Sequence, residues 1–346
     1  MINLETEIRE QPETIKKAYD LNIDKIKEIV AKAKGKGIKH IYFAARGTSD
    51  HACVYAQYLF GIFAGIPCTL GTPSVFTKYG AHVDLSDNLV IGVSQSGKAE
   101  DVLAVLESAK KDGAITVAVT NNEESPMAKS AEYHLFCGCG FEASIAATKT
   151  FTAQMMILGV MAAVWAGNDE LLAEMHGVGE KAGVLLDTKF EEIELFAKKY
   201  QNISGAIVLG RGISYPIALE GALKMLETNK LKMKGYPTSD FHHGPIAQVK
   251  PNDLVFVIAP KGKTDDDSLT IIQKLQNVGA DVVVITDDSS ICPAATTPVV
   301  LPCTGSEFTF PHMAVMFFQL LACCMTIVRG IDPDKAGVIN KITITK

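Results

Sequence analysis

The sequence lacks a long run of lysine or arginine, and its 346 residues carry a formal net charge of −6. Proteins that bind nucleic acids or anionic membranes usually present a basic surface, so we expect neither partner. The N-terminal residues are too polar for a signal peptide, and the eight cysteines follow no regular disulfide framework. Both absences predict reduced thiols and a cytoplasmic protein.

Clustered metal ligands are also missing. Cys137 and Cys139 have no second cysteine pair at zinc spacing, so we interpret them as residues at the end of a strand. The adjacent histidines His242 and His243 point in different directions and lack further ligands nearby. We therefore expect no metal, and nothing in the sequence implies an organic cofactor.

A membrane-spanning segment is not expected either. The most apolar stretch, residues 312–328, is interrupted by Gln319 and is slightly short of a typical span. It also lies between segments that look folded. We interpret it as a helix buried in the protein core or in a subunit interface.

What the sequence does contain is an alternation of strand and helix patterns. Apolar, β-branched runs alternate with helical spacing through most of the chain. This alternation predicts βαβ units around parallel sheets, and hence an α/β fold. The predicted strands are residues 38–45, 89–93, 115–120, 132–137, 204–209, 254–259, 281–286 and 297–302.

The two halves of the chain repeat each other. Gly47 and Gly212 are 165 residues apart, as are Leu89 and Leu254. A period this long indicates a duplicated domain rather than a solenoid. We therefore predict two doubly wound, flavodoxin-like parallel-sheet domains. If they face each other, their strand carboxyl ends surround a shared cleft, where such sheets bind ligands.

The predicted organisation has five parts. A length of 346 residues suits two hydrophobic cores better than one. The parts are an N-terminal helix (1–37), a first domain (38–167), a helical connector (168–202), a second domain (203–330) and a C-terminal tail (331–346).

Two loops of the first half have the composition of an anion site. Gly47, Thr48 and Ser49 follow one predicted strand, and the Ser94–Gly97 loop (Ser94, Gln95, Ser96, Gly97) follows the next. Free backbone N–H groups, hydroxyls and the helix dipole at such positions bind phosphate. Alternatively, Ser49 and Ser96 simply cap their helices. Two such loops at corresponding strand ends favour phosphate.

A third loop is ambiguous. Thr148 and Lys149 precede another predicted helix and could contact a ligand. A capping threonine and a solvated lysine explain the same residues equally well.

The helix predicted at residues 217–228 carries an unusual charge pattern. Its only charged residues are Glu220, Lys224 and Glu227, which share one face, while nearly all other positions are apolar or small. A surface helix has a wider polar face, so the pattern favours charges that line a cavity over an ordinary surface pair. Partial desolvation there would shift their pKa values toward catalytic use.

Together these motifs resemble a known family, the tandem sugar isomerase (SIS) domain proteins. The similarity is greatest to the isomerase portion of glutamine–fructose-6-phosphate aminotransferase, and it covers residues 5–346. The matching segments are residues 45–49, 93–97, 146–154, 209–227, 243–245 and 340–343.

The resemblance implies roles for individual residues. Glu227 would shuttle a proton between C1 and C2 of the sugar, with Lys224 and Glu220 matching the lysine and the earlier glutamate of the same helix. His243, contributed by the neighbouring subunit of a homodimer, would assist ring opening, and Lys341 in the tail would close over the sugar. The residues implied for substrate and phosphate binding are Gly47, Thr48, Ser49, Ser94, Gln95, Ser96, Ala146 and Glu220.

The sequence departs from the family pattern at several positions. Arg46 replaces a cysteine, Lys98-Ala99 replaces the usual Glu-Thr, and Ala147 replaces a frequent serine. Because of the hydroxyl lost at Ala99 and the new cations, the resemblance does not imply a substrate identical to that of the aminotransferase. Arg46 or Lys98 could supply the lost contacts.

Three functions follow from the resemblance. Because the sequence holds no glutaminase domain, we expect the reverse direction, in which glucosamine 6-phosphate becomes fructose 6-phosphate and ammonia. The alternative is a deglycase that splits a fructosamine-type 6-phosphate into a hexose phosphate and an amine. A phosphosugar-binding regulator ranks last, because no helix-turn-helix is present whereas Glu227, His243 and Lys341 all are.

Overall fold

The computed structural model describes residues 2–302 and 305–335. These residues form two compact units. We call residues 13–179 the N-terminal domain, and residues 2–12 together with 180–335 the C-terminal domain.

The described residues form ten strands. They are β1 (His40–Ala44), β2 (Cys68–Leu70), β3 (Asn88–Ser94), β4 (Ile115–Thr120), β5 (Tyr133–Phe136), β6 (Gly205–Gly210), β7 (Lys232–Pro237), β8 (Leu254–Ile258), β9 (Asp281–Thr286) and β10 (Thr297–Val300).

The α-helices alternate with these strands. They are α1 (Asn3–Arg9), α2 (Gln11–Gly35), α3 (Thr48–Leu59), α4 (Ser74–Thr77), α5 (Glu100–Lys111), α6 (Pro126–Ser130), α7 (Lys149–Ala166), α8 (Asp169–His176), α9 (Val178–Tyr200), α10 (Tyr215–Asn229), α11 (Thr238–Phe241), α12 (Asp265–Val278) and α13 (Phe310–Val328). A π-helical turn (Phe60–Ala64) follows α3, and short 3₁₀ turns lie at Gly212–Ser214, Pro245–Gln248 and Ser289–Ala294.

Each domain is built around one five-stranded parallel sheet. The strand orders are β2-β1-β3-β4-β5 and β7-β6-β8-β9-β10, which are the same order when the halves are superposed in sequence. The predicted doubly wound fold and its duplication are thus confirmed. The sequence analysis missed the edge strands β2 and β7, since β2 has three residues and β7 reads Lys-Met-Lys-Gly-Tyr-Pro, without a β-branched run.

The duplication extends to individual hydrogen bonds. At the end of β4, the Thr120 carbonyl accepts a hydrogen bond from the Cys137 N–H group at 2.9 Å. At the end of β9, the Thr286 carbonyl accepts one from the Leu301 N–H group at 2.7 Å. The repeated sequence therefore folds into repeated strand ends.

Two long apolar helices pack against other helices of their domains, α7 against α3 and α8, and α13 against α10 and α1. Both α7 and α13 are long and apolar enough to pass a test for membrane spans, but 89% of each tested window is buried inside the protein. This burial is typical of core helices. It agrees with the interpretation of residues 312–328, which fall within α13.

The segments before the first sheet and between the two sheets are helical. The predicted connector consists of α8 and α9, and residue 180, where the two domains divide, lies within α9. The predicted N-terminal helix is two helices, α1 and α2. Of these, α1 belongs to the C-terminal domain. It packs against α13, and its Leu4 and Ile8 side chains are buried.

Candidate functional site

The two predicted phosphate loops lie at one edge of the N-terminal sheet. β1 and β3 are parallel neighbours, so the residues after them emerge side by side. From β1 the chain continues to the edge strand β2, and from β3 it continues the other way to β4. This point between β1 and β3 is the topological switch point of the sheet, where α/β proteins bind their ligands.

The Ser94–Gly97 loop is held in a tight turn by its own hydroxyls. The Ser94 Oγ atom accepts a hydrogen bond from the Gly97 N–H group at 3.2 Å, and the Ser96 Oγ atom accepts one from Lys98 N–H at 3.3 Å. Gly97 has a φ of +63°, and a Cβ atom there would collide with the Ser125 side chain. Only glycine fits this turn.

Neither serine of the capping alternative caps a helix. The N-cap of α3 is Gly47, with a φ of 54°, and the N-cap of α5 is Ala99, and neither helix has a side-chain cap. Ser49 is buried in the first turn of α3. Helix capping therefore does not explain Ser49 and Ser96.

The glycine and lysine of this loop also match a nucleotide-loop spacing. Gly92 and Gly97-Lys98 stand at the positions of a Gly-x-x-x-x-Gly-Lys pattern, but Ala99 replaces the Ser or Thr that binds magnesium. Gly92 moreover lies inside β3, paired with Ala44 and Ala118. The backbone at Gly92 is therefore part of a strand and not of a loop that wraps a nucleotide phosphate.

A cleft of about 490 Å³ opens beside the Ser94–Gly97 loop. Its volume is within the range of small-molecule sites. Asn121 and Asn122, which follow β4, line this cleft together with Lys98 and were not predicted. The full lining is Gln95, Ser96, Lys98, Asn121, Asn122, Gly140, Phe141, Glu142 and Ala143.

Arg46, one of the departures from the family pattern, forms an ion pair. Its Nε atom lies 2.7 Å from the Oδ2 atom of Asp101, in the first turn of α5. The Asp101 side chain is 2% exposed and that of Arg46 is 48% exposed. A buried carboxylate thus holds a half-exposed arginine side chain just after β1.

The third predicted loop is organised by Glu142, which the sequence analysis did not single out. This buried carboxylate accepts hydrogen bonds from the N–H groups of Thr148 (3.0 Å) and Thr150 (3.2 Å) and from the Thr150 hydroxyl (2.8 Å). The Lys149 ammonium group is also buried and donates to the Phe141 carbonyl at 2.8 Å. The solvated-lysine interpretation is therefore wrong. Ala146, within the same loop, is buried too.

In the C-terminal domain, α10 is enclosed by β6, β7 and α13. A Cβ atom on Gly221 would lie 2.6 Å from the Phe318 ring of α13, so glycine permits this close approach. The Asn229 amide donates to the Ala322 carbonyl at 2.9 Å and joins the end of α10 to the middle of α13. Residues of α10 that face this packing are withdrawn from water.

The charged residues of α10 form one connected array. The Lys224 Nζ atom lies 3.2 Å from Glu220 Oε1 and 2.6 Å from Glu227 Oε2. Glu220 is fully buried, the Lys224 side chain is 2% exposed and the Glu227 side chain is 20% exposed. The surface-pair interpretation is therefore wrong for Glu220 and Lys224, and Glu227 is the member with access to a ligand.

The ammonium group of Lys224 stays protonated in this environment. Burial lowers the pKa of Lys224, but the charges of Glu220 and Glu227 and their hydrogen bonds outweigh it. The net pKa lies above the ordinary value for lysine. Lys224 is therefore a fixed cation beside Glu227 rather than a proton donor near neutral pH.

The two histidines have separate environments. His243 is exposed, and its backbone N–H group donates to the Asp240 carbonyl at 3.0 Å just after α11. His242 is partly buried, with Nδ1 3.4 Å from the Lys274 ammonium group, and burial followed by Lys274 lowers its pKa. Among residues 2–302 and 305–335, no group of three or more His, Cys, Asp or Glu side chains is arranged to hold a metal ion.

Two segments of the chain, residues 36–164 and 200–329, match the SIS domain. The chain belongs to the SIS-domain family. The two matches coincide with the two sheets, so each sheet is the centre of one SIS domain.

Relatives of the whole SIS pair include enzymes and solved structures. Glutamine–fructose-6-phosphate aminotransferase [isomerizing] from Bradyrhizobium diazoefficiens is 33% identical over 97% of this chain, which spans 57% of that relative's length. A structure of a candidate phosphosugar isomerase from Silicibacter pomeroyi is 29% identical, with a TM-score of 0.86, and covers 96% of this chain and 100% of its own. The C-terminal domain of glucosamine-fructose-6-phosphate aminotransferase from Francisella tularensis is 26% identical, with a TM-score of 0.85, over 95% and 97%.

The predicted residues are divided between the two SIS domains. The phosphate-loop residues and Ala146 lie in the first SIS domain, while Glu220, Lys224, Glu227 and His243 lie in the second. Lys341 lies outside the described residues. The missed residues of the first SIS domain are Asp101, Asn121, Asn122 and Glu142. The two asparagines follow a strand end directly, which is the signal that could have found them.

Proposed function

We propose that this protein isomerises an amino-sugar phosphate, converting glucosamine 6-phosphate and water to fructose 6-phosphate and ammonia. The observation that carries the proposal is the array on α10, in which the buried Lys224 cation holds the partly exposed Glu227 carboxyl group. Membership of the SIS-domain family supports a sugar phosphate as the substrate. The similarity to isomerising aminotransferases supports chemistry at C1 and C2 of a hexose 6-phosphate.

A single carboxylate is sufficient for the proton transfer. In the open-chain aldehyde form of the amino sugar, Glu227 removes the proton from C2 and returns it to C1. O1 gains a proton as the amino nitrogen loses one, so the product carries a hydroxymethyl group at C1 and an imine at C2. Water then hydrolyses the imine to the ketone and ammonia. General base catalysis of this kind needs a base that reaches the carbon-bound proton, and Glu227 is the partly exposed member of its array.

The remaining groups serve to bind and open the sugar. Ser94, Gln95 and Ser96 at the switch point bind the phosphate group with their hydroxyls, amide and backbone. His243 of a second copy in a homodimer acts as the acid–base group of ring opening, a role for which its exposure leaves it available. The resemblance alone supports Lys341 as the residue that closes over the sugar.

Ammonia release from glucosamine 6-phosphate tests the reaction. We expect Glu227→Gln to lower kcat by about 10²- to 10⁴-fold, because the amide cannot accept a proton. The matched control is Glu191→Gln, the same change at an exposed position of α9. No ammonia at millimolar substrate, or an undiminished rate in Glu227→Gln, would overturn the proposal.

Mixing inactive variants tests the shared site. If Glu227 and His243 of one site come from different chains, random mixing of Glu227→Gln and His243→Ala chains restores roughly a quarter of the wild-type activity, through one intact site in each mixed dimer. No recovery above the two separate variants would mean that each chain supplies both residues itself.

A second candidate function, the deglycase, is favoured by Lys98. This exposed lysine lines the cleft beside Gln95 and Ser96, where its charge can pair with the carboxylate that an amino acid adds to a fructosamine 6-phosphate. Parallel assays of both substrates distinguish the two reactions. Tight binding of a sugar phosphate without turnover of either substrate would instead favour the phosphosugar-binding regulator.

A further inference from the structure

The Arg46–Asp101 ion pair spans the switch point of the first SIS domain. Arg46 is the second residue after β1, and Asp101 belongs to the helix that follows β3, so the pair joins the two strands between which the ligand is expected. The second Asp101 oxygen accepts a hydrogen bond from the Val102 N–H group at 2.9 Å. The carboxylate is thereby held in one orientation.

This pairing leaves most of the guanidinium group free for a ligand. Arginine has five N–H donors, and Asp101 takes the single one on Nε. Among the residues that the structure describes, Asp101 is the hydrogen-bond partner of Arg46, and the Arg46 side chain stays 48% exposed. The Nη1 and Nη2 groups therefore form a two-pronged donor whose base is fixed by a buried carboxylate.

We propose that Arg46 binds the phosphate group of the substrate, and that Asp101 is the residue that positions it. The proposal rests on the proposed function, in that the substrate is a sugar phosphate. Arginine is the side chain best matched to phosphate, because its planar fork donates two parallel hydrogen bonds to two oxygens. Arg46 thereby supplies donors at the switch point, where Ala99 has removed a hydroxyl expected from the resemblance.

One further carboxylate interacts electrostatically with Arg46. Burial raises the pKa of Asp50 in the first turn of α3, and the charges of His51 and Arg46 oppose that rise. The Arg46 charge is therefore partly balanced by Asp50 as well as by Asp101. The N-termini of α3 and α5 at the same edge add positive partial charge, so the fork can still bind a phosphate dianion.

The duplicated chain contains a built-in control. Arg211, 165 residues after Arg46, places its Nε atom 2.7 Å from the Oδ2 atom of Asp267 in the C-terminal domain. The neighbouring loop after β8 differs, because its N–H groups bond to acidic side chains of the protein: Lys261 N–H to Asp287, Gly262 N–H to Asp265, and Lys263 N–H to Glu307. An anion is thus not expected beside Arg211.

Calorimetric binding of glucitol 6-phosphate, an unreactive open-chain sugar phosphate, tests the proposal. We expect Arg46→Gln to weaken binding about ten- to hundredfold, since charge-assisted hydrogen bonds to the phosphate are lost. Arg46→Lys keeps the charge without the fork and should fall between the two. Arg211→Gln, which breaks the equivalent ion pair in the other domain, should leave affinity within about twofold of the wild type.

Asp101→Asn separates positioning from structure. It should raise KM for the sugar phosphate without changing kcat, whereas a loss of folded protein would lower the apparent kcat and appear in thermal unfolding. Wild-type affinity in Arg46→Gln, or equal losses in Arg46→Gln and Arg211→Gln, would overturn the proposal. If Arg46→Gln does not fold, wild-type affinity in Arg46→Lys would overturn it too. Because glucitol 6-phosphate does not react, this binding measurement does not depend on catalysis. A failure of the Arg46 proposal can therefore be distinguished from a failure of the proposed reaction, which would appear as absent ammonia release.

Discussion

The helices α3 and α10 occupy the same position in the two duplicated domains, yet they carry opposite chemistry. At the 165-residue offset, Tyr55 and Leu59 of α3 correspond to Glu220 and Lys224 of α10. All four side chains are buried. One copy of the helix therefore has an apolar interior, and the other holds a buried charge array that ends at Glu227.

The loops after β3 and β8 also differ between the two domains, in the groups that accept their hydrogen bonds. In the first, Ser94 and Ser96 hydroxyls accept the loop's hydrogen bonds. In the second, carboxylates do so, with Glu307 bonded to Lys263 N–H at 3.2 Å. A neutral hydroxyl leaves room for an anion, whereas a carboxylate already provides the negative charge. The two copies thus share one strand order and carry different polar groups on it.

The largest expected effect concerns the charge array. We expect Lys224→Met to lower the free energy of unfolding by about 3–5 kcal/mol, because it leaves Glu220 buried without its cation. Chemical denaturation of the purified variant measures the loss.

The control variant makes the buried face of α10 uncharged, as that of α3 is. The double variant Glu220→Gln/Lys224→Met removes both fully buried charges, so it should recover a large part of that stability while activity stays low. A loss below about 1 kcal/mol in Lys224→Met would show that the array is not a buried ion pair in solution.

The smallest expected effect compares the two loops. Glu307→Gln should lower the free energy of unfolding by about 1 kcal/mol, because a charged acceptor of the Lys263 N–H group becomes a neutral one. Ser96→Ala removes a longer hydrogen bond at an exposed turn and should change it by no more than about 0.5 kcal/mol. Denaturation curves of both variants, recorded together, decide the order, and the reverse order would contradict the distinction between the loops.

The sheets could be predicted because their information is local. Buried parallel strands read as continuous apolar runs, and the repeat showed that two domains share one topology. The same local signal failed for β7, where lysines, glycine and proline hide an edge strand that its pairing with β6 stabilises. The pairing partner of a strand is determined by the tertiary structure, so it cannot be deduced from the composition of that strand alone.

The α10 array was also a local prediction, since residues four and three positions apart on a helix are neighbours. Arg46–Asp101 joins residues 55 positions apart and Lys149–Phe141 buries a lysine that looked solvated. Neither follows from spacing, because each depends on how a helix packs against a loop that follows a strand.

The order of residues along the chain was therefore enough to establish two SIS-type sheets, the loops that follow their strands, and one charged face of α10. The tertiary structure alone decided which of those charges are buried, which acidic groups hold the loops, and that Arg46 is oriented by Asp101. The reason is physical: backbone periodicity is encoded by neighbours in sequence, whereas desolvation and ion pairing depend on residues that only folding brings together.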